Sequence, residues 1–377
     1  MKQGIPVRQR HLGSAEFRIR GLDGLRAVAM TLVFFEHKTD IGHKLHLGIG
    51  VWLFFVLSGY LITSIVLERR RVIETRHSSA KKELLSFFYR RAFRIFPAYY
   101  ALLIIASFLS SETHPFVTAG WALVYATYTT NLAIELVTKS WPSLGHLWTL
   151  AVEEQFYIIV APLFLLIPIR KAKYVAGGLL TAAISALIAL LAAQASMIVL
   201  GTDSLVNFGI MAVGVTLAIM AIAPANGKAS LGVVLGLVGM VATTNITTLT
   251  HVTFNPAAGA LLFWAAIIFA ALTIWSIVAN QDSGAVAFLH WKPIQLLGRI
   301  SYAFYLWHYL VDFRFAEPAL HALLPGADDD SMSLLICLAD YTATAAVAAA
   351  SWVLIERPLL KMRDRLFQQK VPARSKT

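Results

Sequence analysis

Apolar stretches long enough to cross a lipid bilayer recur along almost the whole 377-residue chain. A hydrocarbon core about 30 Å thick needs about 20 such residues per helical crossing. The stretches lie near residues 22–37, 47–67, 95–111, 116–136, 147–169, 174–199, 206–224, 231–249, 257–279, 297–315 and 333–355, which makes eleven candidates. Composition agrees, with 58% hydrophobic and only 14% charged residues, against about 25% charged in soluble domains. The chain therefore reads as an all-α, polytopic integral membrane helical bundle whose surroundings are the lipid bilayer.

Several chemistries have no foothold. The single Cys337 excludes a disulfide scaffold and Cys-based metal sites. No HExxH, phosphate-loop or dinucleotide glycine pattern occurs, so no metal and no cofactor are expected. The net charge of +11, from 32 Lys and Arg against 21 Asp and Glu, fits cytoplasmic loops and not a nucleic-acid partner.

Positive charge orients the spans. The most basic loop holds Arg69, Arg70, Arg71, Arg76, Lys81, Lys82, Arg90, Arg91 and Arg94; the C-terminal tail holds Arg357, Lys361, Arg363, Arg365, Lys370, Arg374 and Lys376. Both are expected to be cytoplasmic, so the number of crossings is even. The segment 116–136, rich in Thr, Tyr and Asn, is then an external or re-entrant element, leaving about ten crossings with both termini cytoplasmic. Arg170, Lys171, Lys173, Lys228, Lys292 and Arg299 fall inside, and an outer loop carries Asp328, Asp329 and Asp330. Only Lys38, Lys44 and Lys139 disagree. The first apolar segment carries charges and lacks a cleavage site, so it is an uncleaved span. The expected division is a lead-in over 1–17, a transmembrane domain over 18–358 and a basic tail over 359–377, with KKELLSFFYRRAFRIF as an amphipathic helix on the inner membrane surface.

Charged groups within a membrane cost about 2.5–3.5 kcal/mol each, so they are functional candidates. Ten residues separate Arg26 from His37, a rise of about 16 Å that returns both side chains to one helix face. Asp23 is spaced to pair with Arg26. One reading gives this face a substrate with an anionic part and a reacting part; the other has Asp23 and Arg26 orient the helix while His37 caps it. The segment HLWTLAVEEQFYII supplies His146, Trp148, Glu153, Gln155 and Tyr157. Here a carboxylate orients a histidine base, or the aromatic residues form an interfacial belt. His308 reads as a satisfied interior histidine. Ser58 and Gly59 indicate close helix packing, since no nucleophile elbow surrounds the serine.

Six segments, in order, resemble the acyltransferase 3 family of membrane O-acyltransferases: FRIRGLDGLRAVAMTLVFFEH, FFVLSGYLIT, FYRRAFRIFPAYY, HLWTLAVEEQFYII, LGRISYAFYLWHYLV and IERP. The first reproduces the family's Arg-x10-His signature at Arg26 and His37. Two departures are Thr149, where many members have serine, and 203–218, which lacks an arginine usual there. The serine-hydrolase-like domain that some members append is not expected, because the chain ends soon after Pro358.

The resemblance implies transfer of an acyl group, commonly acetyl, from acyl-CoA to a hydroxyl. Arg90, Arg91 and Arg94 would meet the phosphates of CoA, with Arg26 beside the path of its arm. His37 would take the proton of the acceptor hydroxyl, with Glu153 orienting or charge-stabilising it. The expected acceptor is an envelope glycan or glycolipid at the bacterial inner membrane. The alternatives are a small molecule such as a macrolide, or a transporter of an acyl donor or lipid-linked sugar, although the internal hydropathy symmetry of inverted repeats is not seen.

Overall fold

Ten helices of 16 to 30 residues fall on ten of the eleven apolar segments. The computed structural model describes residues 19, 21–75, 77–110, 116–220, 229–250, 256–280, 284–313, 322–323 and 329–368. The lead-in 1–17, Arg76, Lys228, Asp328 and the tail from residue 369 onward lie outside the described residues. In chain order the helices are α1 (Leu22–Lys38), α2 (Asp40–Lys44), α3 (Ile49–Glu74), α4 (Ala80–Leu109), α5 (Ala119–Ala126), α6 (Thr130–Ala133), α7 (Trp148–Leu166), α8 (Ala172–Ala192), α9 (Met197–Thr202), α10 (Ser204–Ile219), α11 (Ala229–Thr250), α12 (Pro256–Ala279), α13 (Lys292–Trp307), α14 (Asp329–Ser351) and α15 (Arg357–Gln368). No strand occurs among the described residues. Among the described residues six helical stretches are long and apolar enough to cross a membrane; α10 and the apolar part of α11 are shorter. The 17-residue α1 and 16-residue α13 are interrupted by charge.

The segment 116–136 contains no helix of spanning length. It breaks into the 8-residue α5, the 4-residue α6 and a π-helical turn at Ile134–Thr138. Eight residues rise only about 12 Å. Polar side chains hold the segment by its backbone: the Tyr99 hydroxyl donates to the Tyr125 carbonyl at 2.8 Å, and the Gln155 amide to that of Tyr128 at 3.1 Å.

The basic stretch 81–96 departs from the expectation of a separate surface helix. It is the N-terminal half of α4, an unbroken helix of 30 residues with Pro97 inside it, about 45 Å long. Ser79 caps it by accepting from the Lys82 amide. An amphipathic pattern along a surface and the basic end of a long span read alike in sequence.

Small residues allow the closest approaches, as expected where lipid removes the hydrophobic drive for helix association. A Cβ at Gly59 would strike the Met211 carbonyl and one at Gly214 the Val56 carbonyl, so α3 and α10 touch backbone to backbone. Gly298 likewise brings α13 against the main chain of Asp23 in α1.

Candidate active site

The contact between α1 and α13 sets the site. Their paired positions advance together: Gly298 meets Asp23, Ser301 accepts from Arg26 Nε at 3.2 Å, and His308 meets His37. The two helices therefore run parallel, and the face that carries Arg26 and His37 is the face buried against α13.

At one end, His37 Nδ1 lies 2.9 Å from His308 Nε2, with the rings stacked at 5.2 Å. His308 Nδ1 lies 2.6 Å from the Tyr305 carbonyl. A carbonyl only accepts, so His308 Nδ1 carries a hydrogen, and a neutral His308 presents a lone pair at Nε2. His37 Nδ1 then donates to it. The Nε2 of His37 is left with the lone pair, the state a general base needs.

Lys38 fastens this end. Its ammonium donates to the Val311 carbonyl at 2.6 Å and lies 3.2 Å from Asp340 and 3.6 Å from Asp312. Asp340 also accepts from the Phe313 amide at 2.8 Å. One of the three lysines that disagreed with the charge pattern is thus neutralised within the protein, its side chain only 5% exposed. The clasp holds residues 311–313, just beyond His308, against α1 and α14.

At the other end, Arg26 has Arg94, Asp23, Glu153 and Tyr157 within electrostatic reach. Arg91 stands over the Tyr157 ring at 5.0 Å, a cation–π distance, with Arg94, Glu153 and Glu154 around it. Arg69, bonded to Glu83 at 2.8 Å, lies near Arg90 and Arg91. Guanidinium groups from α1, α3 and α4 therefore gather around a few carboxylates.

Glu153 is placed with this arginine end. Its oxygens accept from the Ser58 hydroxyl at 2.7 Å and the Tyr157 hydroxyl at 3.0 Å. Among the described residues no bond joins Glu153 to His37; the ring bonded to His37 is that of His308. The physical reason is helical: Glu153 lies about one and a half turns into α7, beyond the end where His146 sits. Gln155 bonds Asn131 and Ser204 and anchors the 116–138 segment. Trp148 packs edge-on against Phe55 at 5.8 Å. His146 does reach the histidine end, its ring 5.1 Å from that of His308.

An acyltransferase domain, that of the acyltransferase 3 family, matches residues 19–350. The chain belongs to the acyltransferase 3 family. A peptidoglycan O-acetyltransferase, OatA of Listeria monocytogenes, is 30% identical over 91% of this chain and 56% of its own length. O-acetyltransferase OatA of Staphylococcus aureus (strain NCTC 8325) is 27% identical over 92% of the chain and 58% of its own length. A putative peptidoglycan O-acetyltransferase of Bacillus subtilis, YrhL, is 28% identical over 94% and 56%. The chain thus spans a little over half the length of these curated relatives. No solved structure matches it.

In this acyltransferase 3 family member the sequence places His37 and Arg26 on one helix face and spaces Asp23 to pair with Arg26, but it does not show the bonds to His308 and Ser301. Ser301, Tyr305 and His308 recur at helical spacing in SYAFYLWH, a signal that α13 presents one polar face. Asp340 stands inside the apolar run 333–355, where any acid is a functional candidate.

Proposed function

We propose that this chain is a membrane O-acyltransferase that moves an acetyl group from acetyl-CoA to a hydroxyl of a cell-wall glycan, with His37 as general base. The observation that carries the reading is the bond from His37 Nδ1 to His308 Nε2, which leaves His37 Nε2 free to take a proton. The names of the relatives support the acetyl group and the peptidoglycan acceptor. The arginines of α4 support an anionic donor, since guanidinium forks suit phosphate.

The step balances with no further reagent. His37 Nε2 takes the proton of the acceptor hydroxyl as its oxygen attacks the thioester carbon. The tetrahedral intermediate collapses, the C–S bond breaks, and the CoA thiolate leaves and recovers the proton from His37. Arg26, about 16 Å along α1 from His37, would steady the CoA arm, and Arg90, Arg91 and Arg94 its phosphates. Glu153, held by Ser58 and Tyr157, would keep Arg26 and Arg91 in place.

The proposed topology is ten crossings of the bacterial inner membrane, both termini cytoplasmic. It needs α1 and α13, the first and ninth crossings, to run the same way, and likewise α3 and α7, the second and fourth. The parallel pairing at Arg26–Ser301 and His37–His308 supports the first condition. The pairs Ser58–Glu153 and Arg70–Leu165 support the second. Donor phosphates would then lie inside and the base outside.

The test is the ester content of cell-wall glycans in a deletion strain complemented with wild type or with His37→Ala at equal expression. Base-labile O-acetyl groups should return with wild type alone. Equal restoration by both would remove His37 as the base, and no loss on deletion would remove the glycan acceptor.

A further inference from the structure

We infer that His146 binds the acceptor: its Nδ1 accepts a hydrogen bond from a hydroxyl or acetamido N–H of the glycan beside the reacting oxygen. The inference rests on the acyl-transfer reading above and assigns one contact within it.

His146 lies in the short turn Gly145–Leu147 that leads into α7. Its backbone is pinned: the carbonyl accepts from the Tyr305 hydroxyl at 2.8 Å and from Thr149 Oγ1 at 3.2 Å. Its ring is pinned as well. It lies flat on Tyr309 at 4.4 Å with an interplanar angle of 10°, and edge-on to His308 at 5.1 Å.

The remaining ring contact fixes the tautomer. Nε2 faces the Leu306 carbonyl at 3.3 Å, and a carbonyl only accepts, so the hydrogen is on Nε2. Nδ1 therefore carries the lone pair. It is fully buried and has no hydrogen-bond partner among the described residues, in a residue only 3% exposed. Buried acceptors ordinarily find a donor, and one held rigidly without a donor calls for an explanation.

Position supplies it. His146 packs on His308, the residue that bonds the base, so the vacant lone pair belongs to the same histidine cluster. A lone pair repels a tetrahedral oxyanion and the thioester carbonyl, which excludes both as its partner. A sugar ring offers hydroxyl and acetamido hydrogens within a few ångströms of any reacting oxygen.

The full chain, purified in detergent, is assayed with radiolabelled acetyl-CoA and soluble peptidoglycan glycan fragments as the acceptor probe. Two substitutions separate the ring nitrogens. In His146→Asn the amide oxygen takes the place of Nδ1, and the contact to Leu306 is lost. In His146→Gln the amide nitrogen reaches toward Leu306, and the acceptor at Nδ1 is lost. The expected result is an acceptor KM for His146→Asn within about threefold of wild type and one for His146→Gln raised about tenfold or more, the effect of one hydrogen bond. The KM for acetyl-CoA should not move in either variant, which also shows that both are folded.

The reverse order would overturn the inference, because only the Leu306 contact would then matter. Equal effects of the two substitutions on the acceptor KM, or a raised KM for acetyl-CoA, would overturn it as well. Failure of the underlying reading looks different: wild type itself would transfer no label to the fragments, and the inference would fall with it.

Discussion

His37 and His308 are joined across 271 residues by a bond of 2.9 Å between Nδ1 and Nε2. The Tyr305 carbonyl, 2.6 Å from the far nitrogen of His308, sets the direction of that bond. A backbone group thus decides, through two rings, which nitrogen of His37 is available for chemistry.

His308→Ala should lower kcat for acetyl transfer by about 10²-fold, the lower end of what a positioned general base supplies. The KM for acetyl-CoA should stay near wild type. His308→Gln, whose side-chain oxygen accepts from His37, should recover part of the loss. If Ala and Gln behave alike in steady-state kinetics, His308 does not orient the base.

Glu153→Gln separates the arginine end from the histidine end. Its bonds run to Ser58 and Tyr157, so the substitution should raise the KM for acetyl-CoA and leave the pH dependence of kcat unchanged. A shifted pH profile would restore the expectation that Glu153 acts on His37.

Arg91→Ala and Arg94→Ala should each weaken acetyl-CoA binding about 10- to 100-fold, as the loss of a charge-assisted hydrogen bond does. Wild-type binding should also weaken with added salt. Calorimetry on the purified protein reads both effects, and unchanged affinity in the variants would return these arginines to the membrane surface.

Lys38 and Asp340 form a buried pair 3.2 Å apart, with 5% and 2% of their side chains exposed. Removing one partner strands a buried charge, at a cost of about 3–5 kcal/mol, whereas replacing both with apolar residues costs much less. Lys38→Met and Asp340→Leu should each lower the apparent melting temperature, and the double substitution should recover most of it. Additive losses in the double-mutant cycle would show that the two charges do not interact.

Much of the architecture is legible in the sequence because apolar runs set helix positions: ten of the eleven apolar segments became helices of 16 residues or more, and six stretches among the described residues are long and apolar enough to cross a membrane. The exception, 116–136, could be read from its Thr, Tyr and Asn content; the structure holds its backbone carbonyls with Tyr99 of α4 and Gln155 of α7. Within the site, Arg26 and His37 were readable because one helix carries both. The His37–His308 bond was not, because it depends on how α1 and α13 pack, and no pattern within either helix encodes that register. Glu153 was assigned to His37 for a related reason. In the expected topology its segment begins on the same side as His37, but about one and a half turns of α7 carry the carboxylate to the arginine end.

The most direct measurement is acetyl transfer from radiolabelled acetyl-CoA to soluble peptidoglycan fragments by purified wild type and His37→Ala, with the affinity of each for acetyl-CoA. The expected result is a loss of transfer of about 10²-fold or more with affinity for acetyl-CoA unchanged. Transfer by His37→Ala at the wild-type rate, or an equal loss of acetyl-CoA binding, would contradict His37 as the general base.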